Sequence, residues 1–144
     1  MIKTTELRTE LVRRLESLRS ENGYTADIQA VLTPVQVRSS AERPASGNYC
    51  VLWTEPGQLV AQQGSKIQWQ QTFAVDMPVP WTADAERQLD AIRLELASAL
   101  AGKLAGVQKQ ELAGLVTAYP QDGRSHAVVS AELTLTYVET LTPL

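Results

Sequence analysis

The unbroken alternation over residues 66–79 constrains this chain more than any other feature. The odd positions read Ile67, Trp69, Gln71, Phe73, Val75, Met77 and Val79; the even ones read Lys66, Gln68, Gln70, Thr72, Ala74, Asp76 and Pro78. Successive side chains of a strand point to opposite faces, so this pattern predicts a long strand with one face buried and one wet. Gln71 is the single polar residue on the apolar side. The apolar face, with Ile67, Trp69, Phe73, Val75 and Met77, is expected to pack on Leu89, Ile92 and Leu96 of a following helix.

Two helices flank that strand in sequence. Over residues 5–20, Leu7, Leu11, Leu15 and Leu18 recur at helical spacing while Glu and Arg cover the other faces. Gly23 then offers a left-handed stop. After Pro80 and Trp81, Thr82 is expected as the N-cap of a second helix. Asp84 and Glu86 suit the positive end of its dipole, and Leu89, Ile92, Leu96 and Leu100 form its stripe. Gly102 marks its end, and residues 103–111 read equally as a loop or a helical extension.

Further strands are expected over residues 26–38, 49–54, 112–119 and 127–137. Pro34 removes one ladder donor from the first and places it at an edge. Both faces of 49–54 are apolar, which reads as a central strand covered on each side. Residues 39–48 form a polar loop with Pro44 and Gly47, and Pro120-Gln121-Asp122-Gly123 is a turn signal. Residues 55–65 read as a long connection, with Pro56, Gly57 and Gly64. The predicted fold is one α+β domain over 1–144, a mostly antiparallel sheet of four to five strands with two amphipathic helices packed on one face.

The chemistry these residues allow is narrow. One cysteine excludes an internal disulfide framework and a Cys-based zinc site, and one histidine excludes a His-rich metal centre within the chain. A net charge of -3 lacks the basic surplus of tight nucleic-acid binders. Residues 1–11 lack the apolar core of a signal peptide, and the longest stretch free of charge, 44–54, holds Ser46, Gly47 and Asn48 and cannot span a bilayer. A soluble chain in a reducing cytoplasm is expected.

Asp122, Ser125 and His126 look like a triad in text, yet three residues of one turn rarely converge with triad geometry. Cys50 lies mid-strand, where a small buried hydrophobe is the usual outcome. The carboxylate pairs Asp84/Glu86 and Asp90/Glu95 sit on the polar side of a helix and read as solvating groups. Gly64-Ser65-Lys66 has the wrong order for a phosphate loop, and Gly102-Lys103 is followed by Leu104 rather than a hydroxyl. No catalytic, cofactor-binding or metal-binding residue is assigned. Trp53, Trp69 and Trp81 read either as core filling near the sheet or, for one of them, as an interface anchor.

The 55–65 connection is the candidate contact site. Leu59 and Val60 stand at its middle, flanked by Gln58, Gln62 and Gln63. Either they tuck back onto the domain, or they order against a partner.

The layout resembles a family. Its first half is the leading helix, the Pro-containing strand at 28–37 and Tyr49-Cys50-Val51-Leu52-Trp53. Its second half is the long strand ending Met77-Pro78-Val79-Pro80, the helix opening Asp84-Ala85-Glu86, and Ala131-Glu132-Leu133-Thr134-Leu135-Thr136-Tyr137 with a short tail. Over nearly its whole length the chain is similar in layout to the tail terminator (minor tail protein U-like) subunits of long-tailed bacteriophages. Related neck, tail-completion and tail-tube proteins share much of this look.

The resemblance implies a homo-oligomeric ring, a hexamer, that caps the tail tube and offers a surface to head-completion or neck proteins. DNA passes through such a ring without specific binding. It implies no cofactor, no catalytic residues and no membrane, and a place in the virion at the head-proximal end of the tail after assembly in the bacterial host cytoplasm. From the residues alone, the rival class is a small ligand-binding domain or enzyme with a pocket between sheet and helices.

Overall fold

A computed structural model describes residues 2–38, 48–120 and 125–142. The elements run α1 (Lys3–Glu16), a 3-10 turn (Ser20–Asn22), β1 (Ala30–Leu32), α2 (Pro34–Val37), β2 (Tyr49–Thr54), β3 (Gln58–Gln63), β4 (Lys66–Pro80), α3 (Ala85–Ala101), β5 (Val107–Ala118) and β6 (His126–Thr140). The fold is α+β. One sheet has the order β1-β2-β4-β6-β5, and β3 pairs with β4 on the same side as β2. All pairings are antiparallel except β1 with β2.

The alternating strand is the spine. β4 pairs with β6 along its whole length, from Lys66 opposite Thr140 to Pro80 opposite His126. On its other side β2 takes Phe73 to Asp76 and β3 takes Lys66 to Gln70. Two apolar strands laid in register bring Phe73 beside Leu133, Val75 beside Ala131 and Met77 beside Val129. The leucines of α1 (Leu7, Leu11, Leu15) and α3 (Leu89, Leu96, Leu100), with Ile92, join these in a single core cluster. Both helices therefore cover the same face of the sheet.

Side-chain hydrogen bonds to backbone fix the helix layer. Glu95 accepts from the backbone N–H of Thr25 (2.8 Å) and Ala26 (2.9 Å). At the C-terminus of α3, Gln110 Nε2 donates to the carbonyls of Leu100 and Gly102, and Arg14 donates to those of Gly102 and Lys103. The Leu100 and Gly102 carbonyls are among those a helix end leaves without partners, and a cation there also meets the negative end of the dipole.

The structure departs from the sequence expectations at six points. β5 begins at Val107 rather than 112, so residues 107–111 are strand and not a loop or a helical extension. Six strands are present among the described residues, against four to five expected, because residues 58–63 form β3 rather than part of a long connection. The expected strand over 26–38 is only β1, and it gives way to a third helix, the short α2. Thr33 and Gln36 form a capping box there and Pro34 stands at the first turn, where its missing N–H costs nothing. The first helix is displaced, beginning at Lys3 and ending at Glu16, and Gly23 (φ 88°) stops the following 3-10 turn instead. The second long helix starts at Ala85 with Asp84 as its N-cap, not Thr82. Finally, Phe73, Val75 and Met77 are buried as expected, but Ile67 and Trp69 are only half-buried. The turn residues 121–124 and the loop residues 39–47 lie outside the described residues.

Candidate functional site

β4 and β6 run past the helix layer, and with β3 they form an arm. Tyr137 marks the boundary: its ring is fully buried and its hydroxyl meets Thr4 Oγ1 in the first turn of α1. Burial pushes the Tyr137 hydroxyl above its ordinary pKa, more than the Thr4 hydrogen bond lowers it. Beyond that point α1 reaches only the Glu139 carboxylate, which accepts from the Thr4 N–H (3.2 Å), and among the described residues no other helix residue bonds the strands there.

Local chemistry builds the arm. Gly64 (φ 60°) leads the two-residue turn between β3 and β4, a left-handed position that glycine occupies without strain. Gly57 lets the backbone pass against the Trp69 ring; a Cβ there would sit 2.5 Å from Trp69 Cζ2. Gln71, the polar residue on the apolar side, is 4% exposed and fully engaged. Its Nε2 donates to the carbonyls of Glu55 (2.5 Å) and Thr72 (3.2 Å), while its Oε1 accepts from Trp69 Nε1 (3.1 Å). Gln71 thus ties the start of the arm to the spine.

The arm carries every candidate contact residue. Gln58, Leu59, Val60, Gln62 and Gln63 lie on β3, and each of its residues is exposed. Leu59 is opposite Trp69, and Val60 is the extra residue of a bulge between Leu59 and Ala61. Their exposures, 53% and 51%, show that neither tucks back onto the domain. The expected loop is therefore a strand. The signal for it is Gly64-Ser65 between Gln62-Gln63 and Lys66-Ile67, a two-residue hairpin turn.

The two long edges of the sheet differ. β5 carries the ion pair Lys109–Glu111 (3.0 Å) and two register shifts, one beside Gly114 (φ 59°). Charges and bulges are how natural sheets blunt an edge against other chains. β3 has no charged residue and one register shift, at Val60, and among the described residues it pairs only with β4. Among the described residues nothing covers its outer side.

The face of the sheet opposite the helices is polar. Gln58 donates to Gln70 (2.5 Å), Gln68 to Gln108 (2.9 Å), and the hydroxyls of Thr72 and Thr134 meet at 2.9 Å. Asp76 accepts from Trp53 Nε1 (3.0 Å) and Ser130 Oγ (2.6 Å). Trp53 is thus oriented on this face and Trp69 in the arm. Trp81 meets Tyr119 edge-to-face at 5.3 Å, both rings exposed, beyond the ends of β4 and β5.

The residues weighed for catalysis stand apart. Ser125 Oγ lies 2.8 Å from His126 Nδ1, and Asp122 falls outside the described residues. Cys50 is fully buried in β2, far from that pair in the sheet, and its thiol is pushed up to about 12, first by desolvation and then by the Glu16 charge. A thiol so held is not a nucleophile at neutral pH. An open cleft of about 360 Å³ between α1 and β1–β2 is lined by Arg8, Val12, Val31, Leu32, Pro34 and Leu52 among others. Among the described residues, no helix is long and apolar enough to cross a membrane. No family model matches this chain, and no curated protein matches it either.

Proposed function

We propose that this chain is a self-assembling structural subunit, not an enzyme, and that it forms the ring that terminates a phage tail tube. One observation carries the reading: β3, an uncharged strand with Leu59 and Val60 more than half exposed, stands at a sheet edge that nothing covers among the described residues. In a monomer such a strand is an aggregation liability, whereas in an assembly it is a contact. The arm then orders against the tail tube or an adjacent subunit. The layout resemblance supplies the particular assembly, a hexameric ring that also meets a head-completion or neck protein. The polar second face, with Asp76 and the exposed Glu132, suits a surface past which DNA moves without adhering.

The test is assembly. Negative-stain images of the purified chain with tail tubes should show rings with an open channel at tube ends, and tubes should stop at a uniform length. Replacing Leu59 and Val60 with Ser should abolish capping while the melting temperature stays near that of the parent. Tubes that ignore the parent chain would overturn the reading.

A further inference from the structure

The edge of β3 also dictates what it does when no tube is present. We propose that in solution β3 pairs antiparallel with β3 of a second copy of this chain, joining the two sheets across a two-fold axis. This does not depend on the ring reading; it follows from the strand itself.

The sequence of β3 is close to self-complementary. With the axis between Val60 and Ala61, Gln58 faces Gln63, Leu59 faces Gln62, and Val60 faces Ala61. Val60 and Ala61 meet at the centre, Leu59 lies beside the Gln62 amide, Gln58 meets Gln63 at the ends, and no like charges oppose each other, which would destabilise a cross-strand pair. An isologous contact of this kind requires only one surface, used twice. β5 offers no equal partner, since it carries the charged Lys109–Glu111 pair and two register shifts against the single one at Val60 in β3.

The seam is short. A strand of six residues covers far less than the ~800 Å² per partner of a standard stable interface, so the dimer is reversible and concentration-dependent.

Sedimentation velocity of the full chain from about 1 μM to about 1 mM tests this, a range that brackets weak association. The parent chain should move from monomer to dimer as concentration rises. Val60→Lys should weaken the dimer at least tenfold, because each copy then brings a cation to the seam. Val116→Lys, an equally exposed site on the opposite edge strand, should leave dimerisation unchanged. Gln62→Lys gives a second reading on the same edge should Val60→Lys lower the melting temperature. A chain that stays monomeric throughout overturns the proposal. So does a dimer indifferent to both β3 variants, or one weakened equally by Val116→Lys. A ring as the free species overturns the two-fold pairing yet leaves the proposed function standing, whereas a β3-dependent dimer that never caps tubes does the reverse.

Discussion

From Phe73 to Val79, β4 lies sealed under two helices; from Lys66 to Gln70 it carries the same alternation into solvent. The difference comes from what lies over the strand, not from the strand. In the first half, Phe73, Val75, Met77 and Val79 meet leucines of α1 and α3 and are almost wholly buried. In the second half, Ile67 and Trp69 occupy the same face but lie at the margin of the helix layer, where Trp69 packs against the edge of the core and both stay half-buried. Periodicity reports which side chains share a face. It is silent on how far along that face the cover extends.

The sharpest way to break this comparison is to cut a large side chain from each half. Phe73→Ala should cost about 3–5 kcal/mol, the usual loss for a buried aromatic whose site cannot collapse. The ring is 1% exposed, flanked by Leu133 in register and with the Arg8 guanidinium 6.0 Å from its centroid. Chemical denaturation with an unchanged slope would measure it. A loss below about 1 kcal/mol would mean that the helix layer is not the core, since only surface changes are usually that small.

Gln71→Ala stands between the halves and should cost less, about 1 kcal/mol, the net worth of an intramolecular hydrogen bond whose partners water can reach. It frees the Trp69 indole N–H and the Glu55 carbonyl. The arm should loosen before the domain does. Backbone amides of 58–70 should exchange with solvent faster in the variant, while those of 73–79 keep their protection. Uniform loss of protection along β4 would show that Gln71 supports the core rather than the arm.

How much of this was legible follows the same division. The spine, the leucine stripes and the shared helix face were readable, because long elements repeat their signal over many residues. α2 and β3 are harder to see, although each has a local mark. Thr33-Pro34 with Gln36 spells a capped helix start, and Gly64-Ser65 spells a hairpin turn. Both lie in segments where a proline or a run of polar residues hides the period. Gln71 looked like an intruder in the apolar face because its partners, Trp69 and the Glu55 carbonyl, come together only once the arm has folded back. Gln58, Leu59, Val60, Gln62 and Gln63 stand out in sequence as two aliphatics amid glutamines, but that pattern allows them to tuck back or to stay outside, and only the structure shows them exposed. Their placement on a free edge required the sheet order.

The smallest effect on stability, and the finest probe of the two halves, comes from a thiol placed in the arm. Val60 is 51% exposed, so Val60→Cys should alter unfolding by no more than about 0.5 kcal/mol. Cys50 in β2 serves as the internal comparison, since it is fully buried and its thiol is pushed up to about 12. Thiolate is the reactive form, and a thiol with a pKa near 8.5 is about a quarter ionised at pH 8. A thiol near 12 holds roughly a thousandfold less thiolate at that pH, and burial excludes the reagent besides. In the native variant at pH 8, a thiol reagent should therefore label one site at once, at position 60. Cys50 should follow only at the rate of unfolding, and in denaturant both should react together. If dilution from about 1 mM to about 1 μM also speeds the first phase, the edge is covered by a second copy at high concentration. Rapid labelling of Cys50 in the native chain would place β2 outside the sealed half and undo the division on which the comparison rests.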